Sequence, residues 1–512
     1  MSDGPAFTLD TCKNAARRLR KAHAAGDPEA HARVAAHVAP GKMLRHADFL
    51  HVIACEEGHD SWPKLKFAVE SAAMSRAEKA ERLKVALYQG QHWKTDRLLA
   101  EDPTLKDDNL GLQVALYDLE AVRTAVGSDP GAAVRPVGLR SPILHLAFSK
   151  EIHRSPEKEA DMMAIAGLLV ANGADVNDGY PFQPGDKDLL PALYGALCHA
   201  DNFTLGRWLL EKGADPNDRE SLYHATELDH PQALELLLNH GARPDGTNAL
   251  PRALDFEEEV KVRMLLEAGA DPNITVPDQP GGLPLNTIPA LHQAVRRGRP
   301  AGIVALLLKF GADAGAVWQG HTPYALARIY GNKAAADRLE EKGHASALSE
   351  SEMILAACAD GTARPGSLDP ASLDPAALTC EDRGLLSELA ALPGRLDHLK
   401  ALVETGLDPD AVDGMGLPPL HIAGWHGLVP ELSYFLSLVP DLSRKNHYGG
   451  DALDTVVHGS EFAPARTDSD HVACARLLLE AGSVLQPHYV THCGNPDMAA
   501  FLEDWQEQSG QS

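Results

Sequence analysis

The stretch LLEKGADPN runs from Leu209 to Asn217, and LLEAGADPN recurs from Leu265 to Asn273, with only Lys212 and Ala268 differing. A chain that copies nine positions this closely is built from repeated units, and the period sets the fold before any local reading does. Looser copies are LLVANGADVN (168–177), LLLNHGARPD (236–245) and LLLKFGADAG (306–315). The glycines Gly173, Gly213, Gly241, Gly269 and Gly311 mark them, and weaker copies end at Gly343, Gly406, Val439 and Gly482. The unit is about 30 residues, the range of stacked supersecondary repeats.

Each copy is preceded by a second element: PILHLA (142–147), PALYGA (191–196), ALPRAL (249–254), PALHQA (289–294), TPYALA (322–327) and PPLHIA (418–423). Proline suits a first helical turn, which has no intrahelical partner for the missing N–H. Leu234, Leu237 and Leu238 fall on one helical face. The glycine that follows supplies a left-handed helix end, and Asp and Asn then favour a turn. Two such short helices cannot bury their own apolar face, so neighbours must stack to form a continuous core.

On these motifs the chain resembles an ankyrin-repeat protein, with PPLH (418–421), HTPYALA (321–327) and the GADPN copies matching that family's unit over roughly residues 80–507. The resemblance implies an all-α fold, an α-solenoid of stacked helix–turn–helix repeats, and a binding function on one face. It also implies that His145, His292 and His421 link adjacent loops by hydrogen bonds; Tyr194 stands where one copy would carry that histidine. The 28-residue spacings are shorter than the family's unit and imply clipped loops. The expected organisation is an N-terminal helical domain over 8–76 and a repeat array over 80–345. A degenerate repeat or hinge over 346–384 follows, marked by the doubled SLDPA (367–371, 372–376), then C-terminal repeats and a cap over 385–507. GHDSWPKLKFAVE, within 8–76, is similar to a helical segment that precedes ankyrin arrays in many bacterial proteins.

The formal net charge is −25. An acid excess spread along the chain disfavours phosphate backbones, so nucleic acid is an unsuitable partner and a basic protein surface a suitable one. The seven cysteines are scattered, with no CxxC pair, as in a reduced cytoplasmic protein. No apolar run has the length of a membrane span, and the N-terminus lacks a secretory h-region. The phosphate loops, the nucleophile elbow GxSxG and the zinc-protease HExxH are missing from the sequence.

The expectation is a non-enzymatic, cofactor-free, monomeric scaffold that binds a protein partner on the concave face of the array. Trp318, Trp425, His426 and Tyr448 are candidate partner contacts near loop tips. Two alternatives stay open. His51, Cys55 and His59, spaced i, i+4, i+8, would share a face on an unbroken helix and could hold a metal, giving the N-terminal domain its own chemistry with the array as a targeting device. The chain could also act as an acidic stoichiometric inhibitor of a basic protein.

Overall fold

Helices of five to seven residues are unstable alone, so the elements of this chain are held by what they stack against. The computed structural model describes residues 8–41, 44, 46–182, 185, 188–277, 279–280, 287–362, 373–374, 376–392, 394–413, 416–463, 466–486, 488–489, 493 and 495–509. It is all-α apart from one two-stranded hairpin and two isolated bridges among the described residues. The chain forms two compact units, Glu70–Ala316, and Met1–Val69 together with Val317–Ser512.

In the unit Glu70–Ala316, helix pairs follow one another: Ser221–Ala225 with Gln232–Asn239, Ala249–Ala253 with Glu259–Glu267, Ala290–Arg296 with Ala301–Lys309. Leu234 and Leu237 are fully buried. Leu238 is only half-buried, whereas Ala233 and Leu236 join the core. A helix packed on both flanks buries more than one stripe, so the face inferred from spacing was too narrow. Gly173, Gly213, Gly241, Gly269 and Gly311 all have left-handed φ, between 88° and 97°. A Cβ at Gly213, Gly241, Gly269 or Gly311 would meet nothing within 4 Å, so these positions need glycine for its backbone freedom and not for space.

The Asp and Asn of the copied motif do separate jobs. Asp215 Oδ1 accepts from the Asn217 backbone N–H at 2.9 Å, forming the turn. Asn217 then reaches the next copy: its Oδ1 accepts from the Arg243 N–H at 2.9 Å and its Nδ2 donates to the Gly241 carbonyl at 3.4 Å. Asn177 braces Asp215 and Gly213 in the same way, and Asn273 braces Asp313 and Gly311.

Loop tips extend where copies are longer. Gly179–Pro181 pairs antiparallel with Leu189–Pro191, and Val137 bridges Arg140. No bridge or strand occurs between Gly213 and Ala253 among the described residues, the stretch with 28-residue spacing. The copy carrying Tyr194 is irregular: helix Ala192–Tyr194 runs straight into a π turn, Gly195–His199. Gly195 lies against the Phe148 ring, where a Cβ would sit 2.5 Å from it.

In the second unit, α1 (Leu9–Ala24), α2 (Pro28–His37), α3 (His46–Glu56) and α4 (Trp62–Ala73) form an N-terminal bundle. Repeat-like helix pairs occupy 323–480, beginning with Pro323–Ile329 and Lys333–Glu341. Helix Glu350–Ala359 opens the stretch 346–384; most of the doubled SLDPA lies outside the described residues. The final helix, Pro496–Ser509, carries Glu503 and Asp504 on the face expected to meet water in a terminal cap. These carboxylates instead pair with Lys13, Arg17 and Arg20 of α1.

Candidate functional site

In the unit Glu70–Ala316 an aromatic cluster, drawn from helix ends and the loop hairpins beside them, closes around one cation. The Arg140 guanidinium lies 4.4 Å from the Tyr88 ring, 4.4 Å from Tyr180 and 5.2 Å from Phe148, and Nη2 donates to the Tyr180 hydroxyl at 2.7 Å. Arginine over aromatic faces is favourable, more so once desolvated. His199, on the π turn, pairs through Nε2 with the Tyr88 carbonyl at 2.8 Å. Burial, with the hydrogen bond that the Tyr88 hydroxyl donates to Tyr180, pushes the Tyr88 phenol up to about 12.

From there a chain of charges crosses the next three repeats. His224 meets Glu220 through Nε2 at 3.2 Å and Glu227 through Nδ1 at 2.9 Å. Burial alone would lower its pKa, but the hydrogen bonds to Glu220 and Glu227 outweigh it and raise it to about 9. His224 is therefore an imidazolium at neutral pH. Arg252 bonds Glu227 at 2.9 Å and Asp255 at 2.8 Å, and Asp255 also accepts from Gln293 at 2.6 Å and Arg297 at 2.9 Å. Each charge is matched, so the network orders the face without leaving a bare charge on it. At the loop tips that carry Arg140 and Tyr180, Leu139 is 69% exposed, Phe182 66% and Leu189 46%. Its members do hold matching positions, His224 and Arg252 being 28 residues apart and Glu227 and Asp255 likewise, but as unlike residues they leave no copied motif in the sequence.

The residues singled out from sequence fall into three groups. His145 is buried, its Nε2 pairs with the Val137 carbonyl at 3.0 Å, and burial pushes its pKa down to about 4. His421 is buried with Nδ1 3.2 Å from the Thr455 hydroxyl of the next repeat, and burial again lowers its pKa to about 4. His292 is fully buried.

Of the four candidate contacts, Tyr448 is 78% exposed on the turn 446–450. Trp425 and His426 are half-buried; the Trp425 carbonyl accepts from His471 Nε2, and burial lowers the His426 pKa to about 4. Trp318 needs correcting as a contact, since it is only 7% exposed. Its backbone pairs with His321 in a tight bridge, and alternation across that extended segment turns Val317 outward, 66% exposed, and the indole inward.

His51, Cys55 and His59 do not gather into a site. Helix α3 ends at Glu56, Gly58 takes a left-handed φ of 81°, and His59 N–H bonds back to the Ala54 carbonyl at 2.8 Å. That turn carries His59 off the face where Cys55 Sγ stands 3.6 Å from His51 Nε2. Among the described residues no group of three or more His, Cys, Asp or Glu is placed to hold a metal ion. All seven cysteines are free thiols, and no described helix is long and apolar enough to cross a membrane.

The sequence reading missed a buried ion cluster in the second unit. His321, 3% exposed, meets Glu352 through Nδ1 at 2.8 Å, and through Nε2 meets Asp382 at 3.0 Å and the Thr379 hydroxyl at 3.3 Å. Glu352 and Asp382 are the third residues of two helices, each closing a capping box with Ser349 or Thr379. The only hint was the capping pattern itself, which says nothing of a histidine arriving between the two carboxylates.

Among known families, residues 193–276 match the model for ankyrin repeats, in three copies. No curated protein matches the sequence.

Proposed function

We propose, from the ankyrin repeats at 193–276 as premise, that this chain is a scaffold that binds a partner protein on its first-helix face. Ankyrin repeats generally mediate protein–protein interaction. The observation that carries the reading is the pairing of a fully matched charge network with exposed apolar tips at Leu139, Phe182 and Leu189. Such tips supply desolvating anchors, while ordered charges beside them select the partner. The net charge of −25 favours a partner with a basic surface. Trp425, His426 and Tyr448 extend the reading to the second unit. In this reading the chain works as a cytoplasmic monomer, without catalysis or cofactor.

A photo-crosslinking amino acid placed at Phe182, and separately at Val260 on the second-helix side, tests the face. Covalent capture of the same identified protein from position 182, lost in L139D and weak from position 260, is expected. Equal capture from both positions would overturn the assignment of the face.

A further inference from the structure

The N-terminal bundle meets the final helix through α3 and through a charged face of α1. The bundle's apolar core is drawn wholly from residues 9–69, around Phe49, Val52, Ile53 and Leu65. Among the described residues, none of the repeats belongs to that core cluster. Helix α3 packs along the final helix, and α1 adds a polar seam beside that contact. Lys13 Nζ lies 2.6 Å from Glu503, Arg17 Nη2 2.7 Å from Glu503, and Arg20 Nη1 2.5 Å from Asp504. Lys13, Arg17 and Arg20 are spaced i, i+4, i+7, so one face of α1 presents all three. The Ala47 N–H donates to Asp497 at 3.2 Å. Beside these bonds lies a cavity of about 310 Å³ lined by Arg20, His46, Asp470, Arg476, Asp497 and Phe501 among others. His46 Nδ1 is buried there with no hydrogen-bond partner.

We propose that the bundle is a detachable cap, latched onto the final helix by the Lys13–Arg17–Arg20 face against Glu503 and Asp504. A body with its own core holds together when it leaves, whereas a body sharing a core cannot leave without unfolding. The contacts that α1 adds to the α3 packing are charge pairs with 26–39% of each cation's side chain in solvent, and pairs of that kind are screened by salt. Release uncovers Glu503 and Asp504 at the end of the repeats. The latch acts within this chain and does not depend on the identity of any partner.

Hydrogen exchange on the full chain tests the latch. Raising salt from about 0.05 M to about 0.5 M should speed exchange about tenfold in the final helix and on the α1 face, with α3 core amides and helix Pro419–Trp425 unchanged. The pair E503K and D504K should produce the same pattern at low salt. Adding K13E, R17E and R20E to that pair reverses every charge and should restore protection. Three results would overturn the proposal: exchange indifferent to salt and to E503K with D504K, loss of protection spreading through α3 and Pro419–Trp425, or reversed charges that fail to restore it.

Discussion

The two units join their repeats by different chemistry. In Glu70–Ala316 the same neutral brace recurs: the amides of Asn177, Asn217 and Asn273 each accept one backbone N–H of the next copy and donate to its glycine carbonyl. Where the second unit has the equivalent position, Asp410 or Ser443 stands in it, and the joints are individual. His321 ties two helix starts, His421 meets Thr455, and the Tyr489 hydroxyl bonds both oxygens of Asp451 at 3.1 Å. A repeated joint leaves a repeated sequence, so residues 193–276 are recognisable as a family. Individual joints hold a stack as well but leave no periodic trace. The braces do not titrate, whereas histidine–carboxylate clusters do, His321 at the joints of the second unit and His224 on the face of the first.

The largest test of that contrast is His321→Ala. It leaves the Glu352 and Asp382 carboxylates buried without their shared counter-charge, and breaking a buried ion cluster costs about 3–5 kcal/mol. Denaturant unfolding should show that loss, and hydrogen exchange should place it in helices Glu350–Ala359 and Cys380–Ala390 while leaving Gln232–Asn239 unchanged. A cost near that of a surface pair would mean the cluster is solvated and the contrast false.

Alkaline titration probes the same cluster more gently. Burial lowers the His321 pKa, but the hydrogen bonds to Asp382 and Glu352 raise it to about 9, above an ordinary value of about 6.5. A raised pKa gives stability that is complete below about 6.5 and is lost as pH climbs to about 9, up to about 3 kcal/mol for a shift of this size. The Glu352 and Asp382 carboxyls are pulled down by His321 against the effect of burial, so their share is lost only in acid. His421 has the opposite sign to His321: burial lowers it to about 4, and its site loses stability as pH falls from about 6.5 through 4. Unfolding measured at pH 7 and pH 9 should differ in the parent and much less in His321→Gln. His224, also raised to about 9, should give a smaller alkaline loss in the other unit, removed by His224→Gln.

Most of the stacking was legible in the sequence because it rests on residues that recur. The Leu209 and Leu265 cores, the left-handed glycines and the proline-led first helices all follow from spacing. Asn217 was legible as a turn residue but not as a brace, because its partners Gly241 and Arg243 lie a full repeat away. The burial of Trp318 depended on which side of one bridge it faced, which period alone does not fix. The His321 cluster was illegible because its partners Glu352 and Asp382 lie 31 and 61 residues away, and the Arg252–Asp255 network because matching positions are filled by unlike residues, His224 against Arg252 and Glu227 against Asp255. The acidic face of the final helix suggested a solvated cap, and only the fold shows α1 lying against it.

Asn217→Ala should cost about 1–2 kcal/mol, the loss of two hydrogen bonds that leaves a neighbour's N–H and carbonyl unmatched. Asn217→Asp should cost about half that at neutral pH, because a carboxylate still accepts but cannot donate to Gly241. The chain holds its own control: Asp245 occupies the brace position of its copy. Asp245→Asn should therefore add about 0.5–1 kcal/mol by supplying the missing donor to the Gly269 carbonyl. A thermal scan of the three variants gives the ranking, and equal effects for Asn217→Ala and Asn217→Asp would show that the donated bond contributes nothing.

The smallest effect is expected at Val439, which stands in the second unit where other copies place glycine. Its φ is 59°, in the left-handed region, and a β-branched residue there is strained by about 1–2 kcal/mol. Its side chain is 88% exposed, so Val439→Gly removes no packing. Glycine frees the unfolded chain and returns roughly 0.5–1 kcal/mol of that gain. The net expectation is stabilisation by about 0.5–1 kcal/mol, read as a higher denaturant midpoint at unchanged slope. Gly213→Ala in the regular unit should move the other way by a similar amount, because its φ of 96° is left-handed and an added Cβ finds no contact to compensate. If Val439→Gly is neutral or destabilising, the loop 438–443 is not a strained copy of the glycine turn but a conformation in which valine is at ease, and the second unit departs from the repeat more deeply than its braces alone indicate.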